Sequence, residues 1–233
     1  MKYCLLSTLL LSAPCLVLPA TAAPSKEKEA LQSLNEFIGS WKGNGSPSKG
    51  KPGPSDLWKE TVTWGWKFKG DDIALTVTFA DGKYFKSGEL RYLAADKKYK
   101  LSVKDADDKE LVFTGELTKD NILLLERKDE EKKISQRLSM NTAAEGDRFL
   151  YQTKTKKDGS TIWVADFEVG CTREGVTLGA KEKKIECVVS GGKGTIPVTY
   201  KGETFYVCCT GCRDAFNENP EKYIKEFKAR KKE

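Results

Sequence analysis

Three cysteines in the last fifth of the chain, spaced Cys187-x20-Cys208-x3-Cys212, are the residues whose type and spacing promise chemistry. Thiolate is a soft ligand, and three that converge select Zn(II), Cu(I) and comparably soft ions. The residues between them dictate the convergence. Val188 to Gly194 is a glycine-rich turn, and two strand-like runs, 195–200 and 204–207, are joined by Lys201-Gly202-Glu203. A hairpin brings its two ends together. Cys208 and Cys209 end the second run, Gly211 breaks it and Cys212 opens a helix, so Cys208 and Cys212 return to Cys187 across the hairpin base. A disulfide-bonded hairpin is the competing use of the same residues.

Two further cysteines compete for a place beside these three. Cys171 is a fourth ligand, a disulfide partner or a free thiol, and Cys209 is the other additional candidate. Adjacent residues at a strand end point to opposite faces, so Cys208 is assigned to the site and Cys209 to packing. Beyond Cys212, Asn219-Pro220-Glu221 reads as an N-cap, a proline at the first helical position and an acid at the positive helix end. Phe216, Tyr223, Ile224 and Phe227 then form the apolar side that covers the hairpin. A segment this short has little core of its own, which is a physical reason to expect a metal staple.

These residues resemble the TRASH/YHS family of heavy-metal-binding modules. The matching features are Cys187, Val198-x-Tyr200-x-Gly202-x-x-Phe205-Tyr206, Cys208-Cys209-x-Gly211-Cys212, Phe216 and Asn219-Pro220-Glu221-Lys222-Tyr223. The resemblance implies a treble-clef-like α+β knuckle, with Cys187, Cys208 and Cys212 as ligands and a role in metal trafficking, resistance or sensing.

The first residues fit a secretory signal over residues 1–22. Lys2 supplies the charge, Leu5 to Leu18 the apolar run and Ala20-Thr21-Ala22 the cleavage motif. The apolar run is short for a membrane span, and Cys15 follows Pro14 rather than the small residue of a lipidation site. An exported protein, periplasmic or extracellular, is expected. Without the signal, five cysteines remain, an odd number that leaves at least one thiol outside any internal disulfide set. The chain contains 0 histidines, which removes His-based zinc hydrolase sites, Ser-His and Cys-His catalysis and His-ligated haem. Lysines and acids are interleaved around a formal charge of +6, and only Lys225, Lys228, Arg230, Lys231 and Lys232 form a basic run, the solvated end of a helix. No nucleic-acid partner is expected.

The middle of the chain must position the cysteine segment, and from Leu57 to Val169 it alternates with period two. Trp58, Val62, Trp64, Trp66 and Phe68 share one face, and Trp163, Ala165, Phe167 and Val169 another. Asp81-Gly82, Asp107-Asp108, Asp120-Asn121, Asp129-Glu130 and Asp158-Gly159 mark turns, so about eight to ten antiparallel strands fit the length. An amphipathic helix from Lys26 to Ile38 precedes Gly39-Ser40-Trp41. The helix, the Gly-x-Trp and the meander together resemble lipocalin-like (calycin) barrels, in which that tryptophan packs against the closed end.

The expected architecture is mainly β. A lipocalin-like antiparallel barrel over residues 26–170 is followed by a linker at 171–186 and a metal knuckle at 187–233. No nucleophile motif, phosphate loop or H-E-x-x-H is present, so the expectation is a non-enzymatic binder of zinc or copper(I). The alternative is a barrel that carries an apolar small molecule, with Trp64 and Trp66 lining its pocket and the knuckle a structural zinc staple.

Overall fold

Ten of the strands close on one another, which satisfies every internal ladder and leaves no free sheet edge along most of the wall. The computed structural model describes residues 25–70, 72–175 and 185–231; the expected signal segment and part of the expected linker lie outside them. Helix α1 (Lys26–Gln32) and a 3-10 turn at Asn35–Phe37 lead into β1 (Gly39–Pro47), β2 (Trp58–Lys69), β3 (Asp72–Ala80), β4 (Phe85–Leu93) and β5 (Lys98–Asp105). Then follow β6 (Glu110–Leu117), β7 (Leu123–Asp129), β8 (Ile134–Ala143), β9 (Arg148–Lys157) and β10 (Val164–Arg173). Each strand pairs antiparallel with the next, and β1 with β10 completes the barrel. Strand β10 takes in Cys171, Thr172 and Arg173, so the wall extends into the stretch expected to be linker.

The alternation in β2 is realised as expected: Val62, Trp64 and Trp66 are buried while Lys59, Thr63 and Lys69 face solvent. The interior is filled by aromatic side chains in edge and tilted contacts. Phe37 meets Trp64 at 5.7 Å, Trp41 meets Phe149 at 5.5 Å, and Phe79 meets Tyr151 at 5.7 Å between ring centroids. Burying each such ring contributes roughly 2 kcal/mol or more from area alone. Gly45 faces inward, and a Cβ there would collide with the Trp58 indole, so the missing side chain is what admits this ring. Glu60 is buried among these rings and accepts from Tyr151 Oη at 2.5 Å and Trp58 Nε1 at 2.8 Å. Burial pushes its carboxyl above the usual range, against the pull of those two donors.

Trp163 does not share the inward face of Phe167 and Val169. Strand β10 begins after it and bulges between Ala165 and Phe167, which breaks the parity. The indole instead lies beneath the Arg137 guanidinium at 4.1 Å and the Lys156 ammonium at 4.9 Å.

One side chain pins the turn after α1 to the barrel. Arg173 stacks on Trp41 at 4.0 Å and donates to the backbone oxygens of Gly146, Ile38 and Glu36 at 2.9, 2.7 and 2.7 Å. It thereby ties β10, the turn before β9 and the 3-10 turn into one lid. Arg173→Ala leaves those carbonyls without their donor, and we expect a loss of about 3 kcal/mol in chemical denaturation. Arg173→Lys, with one compact ammonium, should recover only part of it.

Candidate metal centre

The hairpin is formed by β11 (Ile196–Tyr200) and β12 (Glu203–Val207), with Tyr200 opposite Glu203 and Ile196 opposite Val207. Lys201 and Gly202 have φ of 48° and 82°, the two positive values that a two-residue type I′ turn requires. Upstream, the Val188 N–H donates to Tyr206 O at 2.8 Å, and the Cys187 turn closes through Gly191 N–H to Cys187 O at 3.0 Å. Those bonds set Cys187 beside the end of β12. Downstream, Cys209 caps α2 (Thr210–Glu218), which places Cys212 in the first helical turn, one turn beyond Cys208. Helix α3 (Pro220–Arg230) starts from Asn219, whose side chain accepts from the Lys222 N–H, and it covers the hairpin with Tyr223. Phe216 of α2 meets Phe205 of β12 at 5.8 Å. Arg230 reaches back from α3 to Val188 O at 3.1 Å and Glu186 Oε1 at 3.2 Å, strapping the Cys187 turn to the helix end.

The sulfur atoms of Cys187, Cys208 and Cys212 lie within 4.8 Å of one another, and all three residues are buried. Cys208 and Cys212 are 3.5 Å apart at Sγ. A metal about 2.3 Å from each sulfur places tetrahedrally arranged sulfurs about 3.8 Å apart, so the donor set fits a soft ion with shifts of tenths of an ångström. None of the described cysteines is in a disulfide.

Ser190 lines the cluster: its N–H points at Cys187 Sγ at 3.4 Å, and its Oγ lies 3.3 Å from Cys208 Sγ. The start of α2 adds its positive end. Thiols this close cannot all ionise without a cation. Hydrogen bonding from Cys208 draws the Cys187 thiol down, bonding to Cys187 pushes Cys208 up, and burial pushes Cys212 up. Such close thiols titrate as a group rather than singly, and a bound cation takes the place of their protons.

The other expected residues fall elsewhere. Cys171 sits inside the barrel on β10 opposite Gly43, apart from the three-cysteine cluster, and burial followed by the nearby Glu60 charge pushes its thiol up to about 12. Cys209 adjoins the cluster, its Sγ 4.0 Å from that of Cys208, and stands outside the group of three. Trp64 is wedged against Phe37 and Phe149. Trp66 stacks on Phe68 at 5.4 Å and donates through Nε1 to Asn35 Oδ1 at 3.2 Å. Both rings pack against aromatic neighbours.

Residues that sequence reasoning missed join this cluster to the barrel. Strand β1 starts at Gly39 opposite Trp64, so β2 runs on beyond its neighbour. On that stretch the Trp66 N–H donates to Cys209 Sγ at 3.3 Å. Gly211 lies directly against the Trp66 carbonyl, where any Cβ would collide with the oxygen. Asn35 Nδ2 and Gln32 Nε2 both donate to Ser190 O at 2.9 Å, and Lys28 pairs with Glu226 at 3.1 Å. Ser190 had a local signal: Cys187-x-x-Ser190 has the spacing of a C-x-x-C knuckle with a hydroxyl in the second place.

The YHS domain matches residues 195–226, a span that contains the hairpin, Cys208 and Cys212 and begins after Cys187. Two solved structures are similar to part of the chain. Rv2717c from M. tuberculosis is 20% identical with a TM-score of 0.41, covering 65% of this chain and 98% of its own. The S-type phycobiliprotein lyase CPES from Guillardia theta is 12% identical with a TM-score of 0.42, covering 66% of this chain and 100% of its own. No curated protein matches the sequence. The segment that matches the YHS domain thus follows a closed ten-stranded antiparallel barrel.

The Gly211 contact generates a prediction. Gly211→Ala should push the α2 turn off β2, at a cost of about 2 kcal/mol. Limited proteolysis should then cut after Ile185 sooner than in wild type while the barrel persists, with a red shift in tryptophan emission as Trp66 is uncovered.

Proposed function

We propose that this is an exported, non-enzymatic protein that binds a soft heavy metal, Cu(I) or Zn(II), through its C-terminal cysteine knuckle, in metal trafficking, resistance or sensing. The observation that carries the reading is the convergence of three buried thiols within 4.8 Å at the base of a hairpin. The neutral Ser190 N–H is aimed at Cys187 Sγ and the Ser190 hydroxyl lies against Cys208 Sγ, polar surroundings that suit thiolate, and thiolate favours soft ions over hard ones. Export rests on the sequence of residues 1–22, and the non-enzymatic reading on a chain with 0 histidines and no nucleophile motif. In an oxidising compartment a bound soft ion also protects thiols that would otherwise oxidise.

Each of Cys187→Ser, Cys208→Ser and Cys212→Ser should hold less than half the wild-type metal by elemental analysis. Full metal in all three variants would place the site elsewhere. A strong chelator under reducing conditions should open cleavage sites between Gly191 and Lys222 and leave the barrel intact, because a structural thiolate site contributes about 10 kcal/mol or more to so small a segment. A tail equally resistant after verified metal loss would show that packing alone holds it.

A further inference from the structure

Of the four thiols at the knuckle, Cys187, Cys208 and Cys212 are buried, and Cys209 alone is partly exposed. An ion enclosed by the buried three is out of reach of a donor or acceptor unless some thiolate bridges the interior and the surface. Cys209 has the geometry for this. Its Sγ is 4.0 Å from that of Cys208, close enough for one ion about 2.3 Å from each sulfur to touch both. It also stands outside the set of three that encloses the interior position. Its direction is fixed by the barrel, since the Trp66 N–H holds the sulfur at 3.3 Å, and Gly65 puts no side chain over it.

We propose, building on the metal-binding reading above, that Cys209 is the exchange thiolate of this site. An incoming ion is taken first by Cys209 together with Cys208 and then passed to Cys187, Cys208 and Cys212; release runs the same steps backwards. Each step forms one metal–sulfur bond as another metal–ligand bond breaks. The donor's ligand leaves with its electron pair, the protons of the thiols that bind go to water, and Cys209 takes one back once the ion has moved inward. The oxidation state of the metal does not change.

The test uses the whole protein and Zn(II), moved to and from a chromophoric chelator in stopped flow, for wild type, Cys209→Ser and Cys209→Ala. Both variants should bind the wild-type amount of Zn(II) at equilibrium, while loading and unloading slow together by about tenfold or more. Unchanged rates with full metal overturn the proposal. Lost stoichiometry overturns it too, by making Cys209 a resident ligand. Wild-type protein that takes up no soft metal is a different failure, that of the metal-binding reading itself. A second measurement needs no variant: iodoacetamide applied to the Zn(II)-loaded wild type should modify Cys209 and spare the other cysteines, and the modified protein should show the same slow transfer. A loaded protein that resists modification at Cys209 gives no donor a path to that sulfur, and the proposal fails.

Discussion

The structure depends on a short length of unpaired backbone. Strand β2 runs past the start of β1, and the Trp66 peptide is left with an N–H and a C=O facing away from the barrel. Unpaired edges attract other chains, and buried unpaired groups cost one to a few kcal/mol each, so such an edge must be covered. Here the cover is the Cys209–Gly211 turn, a sulfur accepting the N–H and a glycine small enough to lie on the carbonyl. The knuckle covers the exposed end of β2, and the barrel in turn holds the turn between two of the knuckle's ligands.

A second path runs in parallel through Asn35. Its amide joins the Ser190 carbonyl on one side and the Trp66 indole on the other. Ser190 in turn faces Cys187 and Cys208. The sulfurs of the cluster are thus oriented from two sides by groups on the barrel and its closing turn, which resist movement because they are themselves part of a close-packed interior.

Much of this was legible in the sequence. The cysteine spacing, the strand-like runs around Lys201-Gly202 and the Asn219-Pro220 helix start are local signals, and each became the element they indicate. The period-two run of β2 was equally plain. Strands β4, β7 and β9 were not singled out, because the bulge after Phe85 and the outward-facing Leu124 and Leu150 blur their alternation. The helix expected to reach Ile38 ends at Gln32 and gives way to a 3-10 turn, which is what frees Asn35 to reach two partners. The seam was invisible, because its bonds join residues 143 and 155 positions apart and no local pattern announces a pairing at that distance. Trp163 was misplaced by one bulge, a single extra residue that no periodicity analysis detects.

The barrel closes by pairing its first strand with its last, while every thiol of the cluster lies downstream of that last strand. Order along the chain therefore becomes order in time. During synthesis the amino-terminal part emerges first, and ring closure can occur while the ligand-bearing tail is still arriving. The Trp66 ledge is then ready before Cys209 reaches it, and the tail folds onto a finished template instead of gathering its sulfurs alone. Placing the cysteines last keeps the most oxidisable residues unassembled for the shortest interval.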